Sequence, residues 1–463
     1  MKNPLFRIFF GLSSFQALAM FRRGIFYTFL AVYLRTGLGL TVTETTLFET
    51  IPMILNVMFQ TFVWGRIVDR FQLRRSLIIV GELVAGIGHV LMWYFHSIAP
   101  DGRSAGWVII TGLAIIEIFW SMSNIGWSAY IADVYDAESR NSIQGKLASI
   151  GGGGRIIGAL IGGLLYDGFR RADPGWGFRE GGIFFVSAAV MLVSVVPLLF
   201  MPEGGINWRD GPEKGLRVSS RKHPDRQSEL DCEAGSSGAS ANSGYSRAPE
   251  VSIAFGNSPG NLWVFSLFLG AMLLINSGVN SLGAFRAQFL DLAEGFAASA
   301  RAISLVSTIE SLALIVVGLM VGTLGRRIGI QRLLLAGTCS GLVSLVLYII
   351  APGMGLVFVA AVFKGVSDAS VVAASYTFAS TLIPPEKRGR WFAVYNATFF
   401  LSWGVSATFI SGPIIDGLIG AGAGPVLAYR AGFASAAFLI VLGLALLLVV
   451  VEAMRRKAWG KED

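Results

Sequence analysis

Apolar and polar positions along this chain alternate over long stretches. They follow neither the two-residue period of a half-buried strand nor the narrow stripe of a soluble amphipathic helix. Residues 183–201, 333–363 and 432–451 contain no Asp, Glu, Lys or Arg, and about 20 apolar residues suffice for a helix to cross a bilayer. Divided at polar and Gly/Pro breaks, the pattern predicts six spans in the first half, near residues 8–34, 44–65, 76–95, 107–131, 141–166 and 181–201. Six more are predicted near 261–290, 299–322, 333–350, 355–382, 391–419 and 425–453. The fold class is an all-α polytopic membrane protein with twelve transmembrane helices.

Between the two sets of six lies a stretch of different character. Residues 202–260 are charge-rich at first and Ser/Gly-rich afterwards, too polar to bury a core, and read as a largely disordered linker. The organisation is therefore a helix bundle over 1–201, a linker over 202–260, a second bundle over 261–454 and a tail over 455–463. The halves resemble each other. GRIVDRFQLRR follows the second span and GTLGRRIGIQR the eighth; ESR follows the fourth and EKR the tenth; YDG ends the fifth and IDG the eleventh. Three landmarks in one order indicate a duplicated six-span unit, a common transporter design with the substrate site between the repeats.

Composition agrees with this pattern. Hydrophobic residues make up 54% and charged residues 14%, with mean hydropathy +0.63, whereas a soluble chain carries about 25% charge. A soluble enzyme, a coiled coil and a disordered protein are excluded. The net charge of +8 calls for no nucleic acid, because Lys and Arg collect in cytoplasmic loops. Twenty-five of the 37 basic residues fall on the side of the termini and seven on the other, which places both termini and the linker in the cytoplasm. Cys232 and Cys339 are the only cysteines, and His89, His96 and His223 the only histidines. No disulfide framework, metal site or cofactor is expected.

These features resemble the major facilitator superfamily. That family's loop between spans two and three reads Gly-x-Leu-x-Asp-Arg-x-Gly-Arg-Lys/Arg-Lys/Arg. Gly65, Asp69, Arg70, Arg74 and Arg75 match it, Ile67 replaces the Leu, and Gln72 and Leu73 depart from it. The resemblance implies two six-helix pseudo-repeats around a central cavity and a cytoplasmic latch built on Asp69 and Arg70. Gly65, Arg74, Arg140 and Arg388 belong to the same group of loop landmarks. Antiporters of the family often carry Gly-x8-Gly-x3-Gly-Pro-x2-Gly-Gly in span five. Gly145, Gly154, Gly158, Gly162 and Gly163 fall on that spacing, with Ala159 in place of the Pro. Small residues at such spacing also simply let helices pack closely.

Charges inside the spans carry the chemistry, since each costs at least about 2.5–3.5 kcal/mol to insert. Arg22, Arg23, Arg155, Arg286 and Lys364 balance Glu49, Glu82, Glu117, Glu310 and Asp368, five against five, which suggests internal pairing. A carboxylate in a partly dry cavity can load and release protons near neutral pH, which makes Glu117, Glu310 and Asp368 the proton-coupling candidates. Lys364, one turn from Asp368, is positioned to pair with it. Polar residues recur at helical spacing as Glu117, Ser121, Asn124 and Ser128, as Gln16, Arg23 and Tyr27, and as Tyr395, Thr398, Ser402 and Ser406. With Asn276, Asn280 and the deep Trp403, these faces are expected to line a cavity. Arg22, Arg23 and Arg155 form a basic cluster that could meet an anionic group or offset the nearby acids.

No phosphate-binding loop is present, so the expected function is a proton-coupled secondary transporter of a small organic solute. The leading expectation is an efflux antiporter. A proton symporter for an organic anion or sugar is the alternative, and a non-transporting membrane receptor the second. An enzyme is not expected. The expected partners are a small-molecule substrate, a proton (with sodium the alternative coupling ion) and the lipid bilayer. A monomer in a bacterial-type inner membrane is expected.

Overall fold

A computed structural model describes residues 4–135, 137–169, 173–204, 259–383 and 388–459. Most of the stretch read as a linker therefore lies outside the described residues. Every regular element among the described residues is helical. In the first half these are α1 (Pro4–Val32), α2 (Val42–Phe59), α3 (Gly65–Phe71), α4 (Arg75–Ser97), α5 (Gly102–Val134), α6 (Ala137–Tyr166), the short α7 (Trp176–Arg179) and α8 (Gly182–Leu199). The second half has α9 (Pro259–Asp291), α10 (Ala300–Ile328), α11 (Ile330–Ile350), α12 (Met354–Leu382), α13 (Arg388–Leu401), α14 (Gly412–Gly420) and α15 (Pro425–Trp459). Among the described residues, eleven helical stretches are long and apolar enough to cross a membrane. The chain is an all-α, multi-pass membrane protein.

The boundaries follow local chemistry. Thr41 and Glu44 form a reciprocal capping box at the start of α2, each side chain taking the other's backbone N–H. Asp101 and Ser299 cap α5 and α10. The turn expected as a loop after span two is helical as far as Phe71 and reverses at Gln72, whose φ is 55°. The tail read from residue 455 begins as helix, because α15 continues to Trp459.

The eleventh span differs most from its reading as one helix. It breaks between α13 and a π-helical turn at Ala407–Ser411. Gly404 sits at the break with φ +82°, a left-handed conformation that glycine adopts without steric cost. A methyl group there would also lie 2.5 Å from Thr50 Oγ1. The break therefore needs glycine for both its angle and its clearance against α2.

The two halves of the chain meet through specific polar contacts gathered at the end of the bundle away from the Gln72 turn. Asp416 accepts from the Val42 and Thr43 N–H groups at 2.9 and 2.8 Å. Thr408 Oγ1 lies 2.8 Å from Thr46 Oγ1 and 2.7 Å from Thr50 Oγ1. Gln288 donates to Thr45 Oγ1 at 2.8 Å and accepts from the Tyr429 hydroxyl at 2.8 Å. Thr36 donates to Asp291 at 3.0 Å, and Ser304 donates to the Ala159 carbonyl at 2.8 Å.

The glycines of α6 set how closely α1 and α6 pack. A methyl at Gly154 would strike the Ala17 carbonyl, one at Gly158 the Phe21 carbonyl and one at Gly162 the Ile25 carbonyl. Gly163 faces the other way, against Ser304 of α10. By contrast, nothing lies within 4 Å of a methyl added at Gly153. Gly158→Ala is therefore expected to cost about 1–3 kcal/mol through overpacking, whereas Gly153→Ala gains up to about 1 kcal/mol of helix propensity. Melting of the detergent-solubilised variants, followed by size-exclusion fluorescence, checks the opposite signs.

Candidate functional site

The first half concentrates its charge around one indole. Arg22 and Arg23, adjacent on α1, place their guanidinium carbons 4.6 and 4.7 Å from the centre of the Trp120 ring on α5. The edge of that ring is fixed from α4: Trp120 Nε1 donates to Glu82 Oε1 at 2.8 Å, and Ser123 Oγ donates to the same oxygen at 3.0 Å. Trp120 thus gives its N–H to an acid and its ring to two cations. Each cation–π contact is worth about 0.5–2 kcal/mol, most when desolvated. Arg22 is 1% exposed, and its Nε and one terminal nitrogen have no hydrogen-bond partner. Arg23 also lies 5.9 Å from the ring of Trp403 beside the α13 break. Neither arginine has a carboxylate within ion-pair distance among the described residues.

Glu117, on α5, is 3% exposed and accepts a short hydrogen bond from the Asn56 amide of α2. The Asn56 carbonyl oxygen is buried without a partner. Among the charged neighbours, Arg23 acts on Glu117 most strongly and Arg22 next. Glu49 lies half-buried two turns before Asn56, within the field of Lys364. Tyr27 is half-buried and stacks against Phe48 at 6.2 Å, and Asn124 is half-buried on α5.

The second half pairs its charges more fully. Arg286 of α9 forms a very short ion pair with Glu310 of α10 and also donates to Ser307 at 3.3 Å. Arg155 of α6 approaches the other Glu310 oxygen at 3.7 Å, so this acid joins the halves near mid-depth. Lys364 meets both Asp368 oxygens at 2.7 Å. Of the three carboxylates expected to carry protons, Glu310 and Asp368 thus sit in ion pairs, while Glu117 has a neutral amide partner.

The polar stripe of span eleven turns largely toward neighbouring helices. Tyr395 meets Ser375 of α12 at 2.6 Å and lies parallel to Phe268 of α9. Asn280 donates to Ser402 at 3.0 Å, and Ser406 donates to the Ser277 carbonyl at 2.8 Å. Asn276 is buried, and Trp403 is half-buried with Nε1 enclosed and unpartnered. Tyr395, Ser402 and Ser406 thus spend their polar groups on α9 and α12.

At the Gln72 turn, Gly65 opens α3 and Arg70 lies over the Phe71 ring at 5.5 Å. Arg74 holds the turn together. It meets Asp133 at 2.9 Å, donates to the Val68 carbonyl at 2.7 Å and to Gln72 at 3.2 Å. Glu203 takes the Arg74 and Ser76 N–H groups at 2.8 and 3.0 Å, closing the start of α4. The side chains of Asp69, Arg140 and Arg388, and the surroundings of Gly145, lie outside the described residues.

Sequence reasoning missed Asn56, Asp133 and Glu203 as partners, and Asp416 appeared only as a repeat landmark. Asn56 was within reach, since it follows Glu49 by seven residues on one face of α2. Among the described residues no group of three or more His, Cys, Asp or Glu gathers to hold a metal ion.

Comparison with known proteins places this geometry. The Major Facilitator Superfamily model matches residues 12–290 and 284–463. No curated protein sequence matches the chain. Among solved structures, a variant of the nucleoside transporter NupG is similar at TM-score 0.67 and 13% identity, covering 96% of this chain and 99% of that one. A bacterial homologue of the human lysosomal transporter Spinster, inward-facing and unoccupied, is similar at TM-score 0.64 and 16% identity, over 98% of both chains. A D-xylose–proton symporter is similar at TM-score 0.65 and 15% identity, covering 95% of this chain and 97% of that one. The chain belongs to the Major Facilitator Superfamily.

Proposed function

We propose that this transporter couples protons to the movement of a small organic anion by alternating access, with Glu117 as the proton carrier. The observation that carries the reading is the set of unmatched donors near Trp120. Arg22 Nε, one Arg22 terminal nitrogen and Trp403 Nε1 are buried without acceptors, and Arg23 has no acid in contact. Buried donors cost free energy until an acceptor arrives. A carboxylate, sulfonate or phosphate is acceptor-only and matches the guanidinium fork.

The Glu117 site supports the coupling. Asn56 can donate its N–H to the ionised carboxylate, or turn its carbonyl to accept from the protonated one, so each state keeps a hydrogen bond between the two. Glu117 and an incoming anion compete for the same arginine field. Protonating Glu117 releases that field to the anion, and by linkage the anion favours the proton equally. Two ligands that help each other bind travel together, which is symport. The glycine contacts of α6 against α1 and α10 favour the second reading, efflux antiport, because they hold that part of the barrier rigid.

The accompanying topology is twelve spans, with α13 and α14 counted as one broken span, in two six-helix halves around a central cavity. Both termini and the linker face the cytoplasm of a bacterial-type cell, and one protomer forms the pathway. On that orientation the contacts of Asp416, Thr408 and Gln288 close the outer side. Similarity in fold to a D-xylose–proton symporter and to inward-facing Spinster homologues accords with this arrangement.

Proteoliposome flux under an imposed pH gradient tests the proposal. Substrate entry acidifies the lumen in symport and alkalinises it in antiport, so a luminal pH dye reads the sign directly. Glu117→Gln is expected to lose gradient-driven accumulation at least about tenfold while keeping exchange of labelled for unlabelled substrate at equal pH. Arg23→Gln is expected to raise the apparent KM about tenfold or more, the loss of one charge-assisted hydrogen bond at about 1.5–3 kcal/mol. Asp368→Asn strands Lys364 and is expected to destabilise the fold by about 3–5 kcal/mol. The double variant Lys364→Gln/Asp368→Asn is expected to recover thermal stability and proton coupling together. Coupling lost in a stable double variant would make Asp368 the carrier.

A further inference from the structure

The repeat landmark at the ends of spans five and eleven, Asp167 and Asp416, plays no part in the chemistry above. Its role emerges from accounting for the first-turn donors of α2. The N–H of Glu44 goes to Thr41 Oγ1 at 3.1 Å, and the Thr41 N–H goes to Glu44 Oε2 at 2.9 Å. That leaves the N–H groups of Val42 and Thr43, which a helix start cannot satisfy internally. Asp416 takes one on each carboxylate oxygen, at 2.9 and 2.8 Å, from 374 and 373 residues away. Helix caps ordinarily come from the residue beside the helix. Here two of the cap's hydrogen bonds arrive from the other half, so they exist only while the halves are closed at this end.

The surroundings bring the chains close enough for this. A methyl at Gly412 would stand 3.0 Å from the Thr43 Cα, and Thr408 bridges Thr46 and Thr50 one and two turns further along α2. The sequence repeat sets Asp167 at the matching end of α6, opposite the start of α10. There Ser299, beside the helix, supplies the cap, accepting from Ala302 N–H at 3.4 Å, and Asp167 has the Arg301 and Asp291 charges as neighbours. The two equivalent aspartates are therefore used unequally.

We infer that Asp416 is a positioning residue for alternating access: a latch that holds this end shut by capping α2 of the opposite half and must release it in every transport cycle. Calling that end the outer one rests on the orientation proposed above, but the latch does not. Opening hands the Val42 and Thr43 N–H groups to water, so the latch biases the two states without blocking either.

Spin labels at Pro100→Cys and Pro352→Cys, two exposed loop positions on opposite halves, in a Cys232→Ser/Cys339→Ser background, report the separation by pulsed electron resonance. Asp416→Ala is expected to raise the ratio of long-distance to short-distance populations about tenfold. The isosteric Asp416→Asn should give a smaller rise in the same direction, and Asp167→Asn no change. Unchanged distances in Asp416→Ala, or an equal shift in Asp167→Asn, would overturn the latch. If the alanine variant fails to fold, the asparagine variant decides. The readout needs no substrate, so a flux assay of either sign leaves this result to stand or fall by itself.

Discussion

A charge or an unpaired backbone group inside a bilayer has no water to turn to, and much of this structure answers that constraint. Its clearest expression is Trp120. One indole accepts two guanidinium groups on its face and gives its N–H to Glu82 at its edge. Three helices, α1, α4 and α5, are thereby tied to one ring. Without that ring, Arg22 and Arg23 would be costly neighbours on a buried helix. With it, they form a positive centre whose hydrogen-bonding capacity is only partly used.

The two halves resolve the same constraint differently. In the second half Arg286–Glu310 and Lys364–Asp368 are matched pairs. Such pairs add little net stability but are damaging to break singly. In the first half the acids find neutral donors, Asn56 for Glu117 and Ser123 with Trp120 for Glu82. A carboxylate held by an amide can change its protonation without stranding a cation, whereas one held by a lysine cannot. On the proposed coupling, this asymmetry puts the mobile charge in the first half and the fixed charge in the second.

Much of this was legible from spacing alone. The helical stretches fall near their expected places, and the intramembrane charges are the residues that organise the centre, because both follow from local periodicity and cost of burial. The break before Ala407 was not legible. The segment FLSWG has one glycine and no proline, and an apolar average passes smoothly over it. The partners of Asp416 and Gln288 were equally hidden, since contacts spanning 374 or 243 residues leave no local pattern. The polar stripe on span eleven is legible as a stripe, whereas its bonding to Ser375, Asn280 and Ser277 on neighbouring helices leaves no local pattern.

The break at Gly404 has a mechanical consequence. On one side of it α13 is fastened within the second half, through Tyr395 to Ser375 and Trp391 against Phe265. On the other side the π-turn and α14 hold to both halves, through Thr408 and Asp416 to the first and through Ser411 to Ser435 of the second. A single span thus carries two differently attached segments, with a left-handed glycine between them. If the halves part at this end, the torsion of that one residue lets the segment beyond it follow either of them.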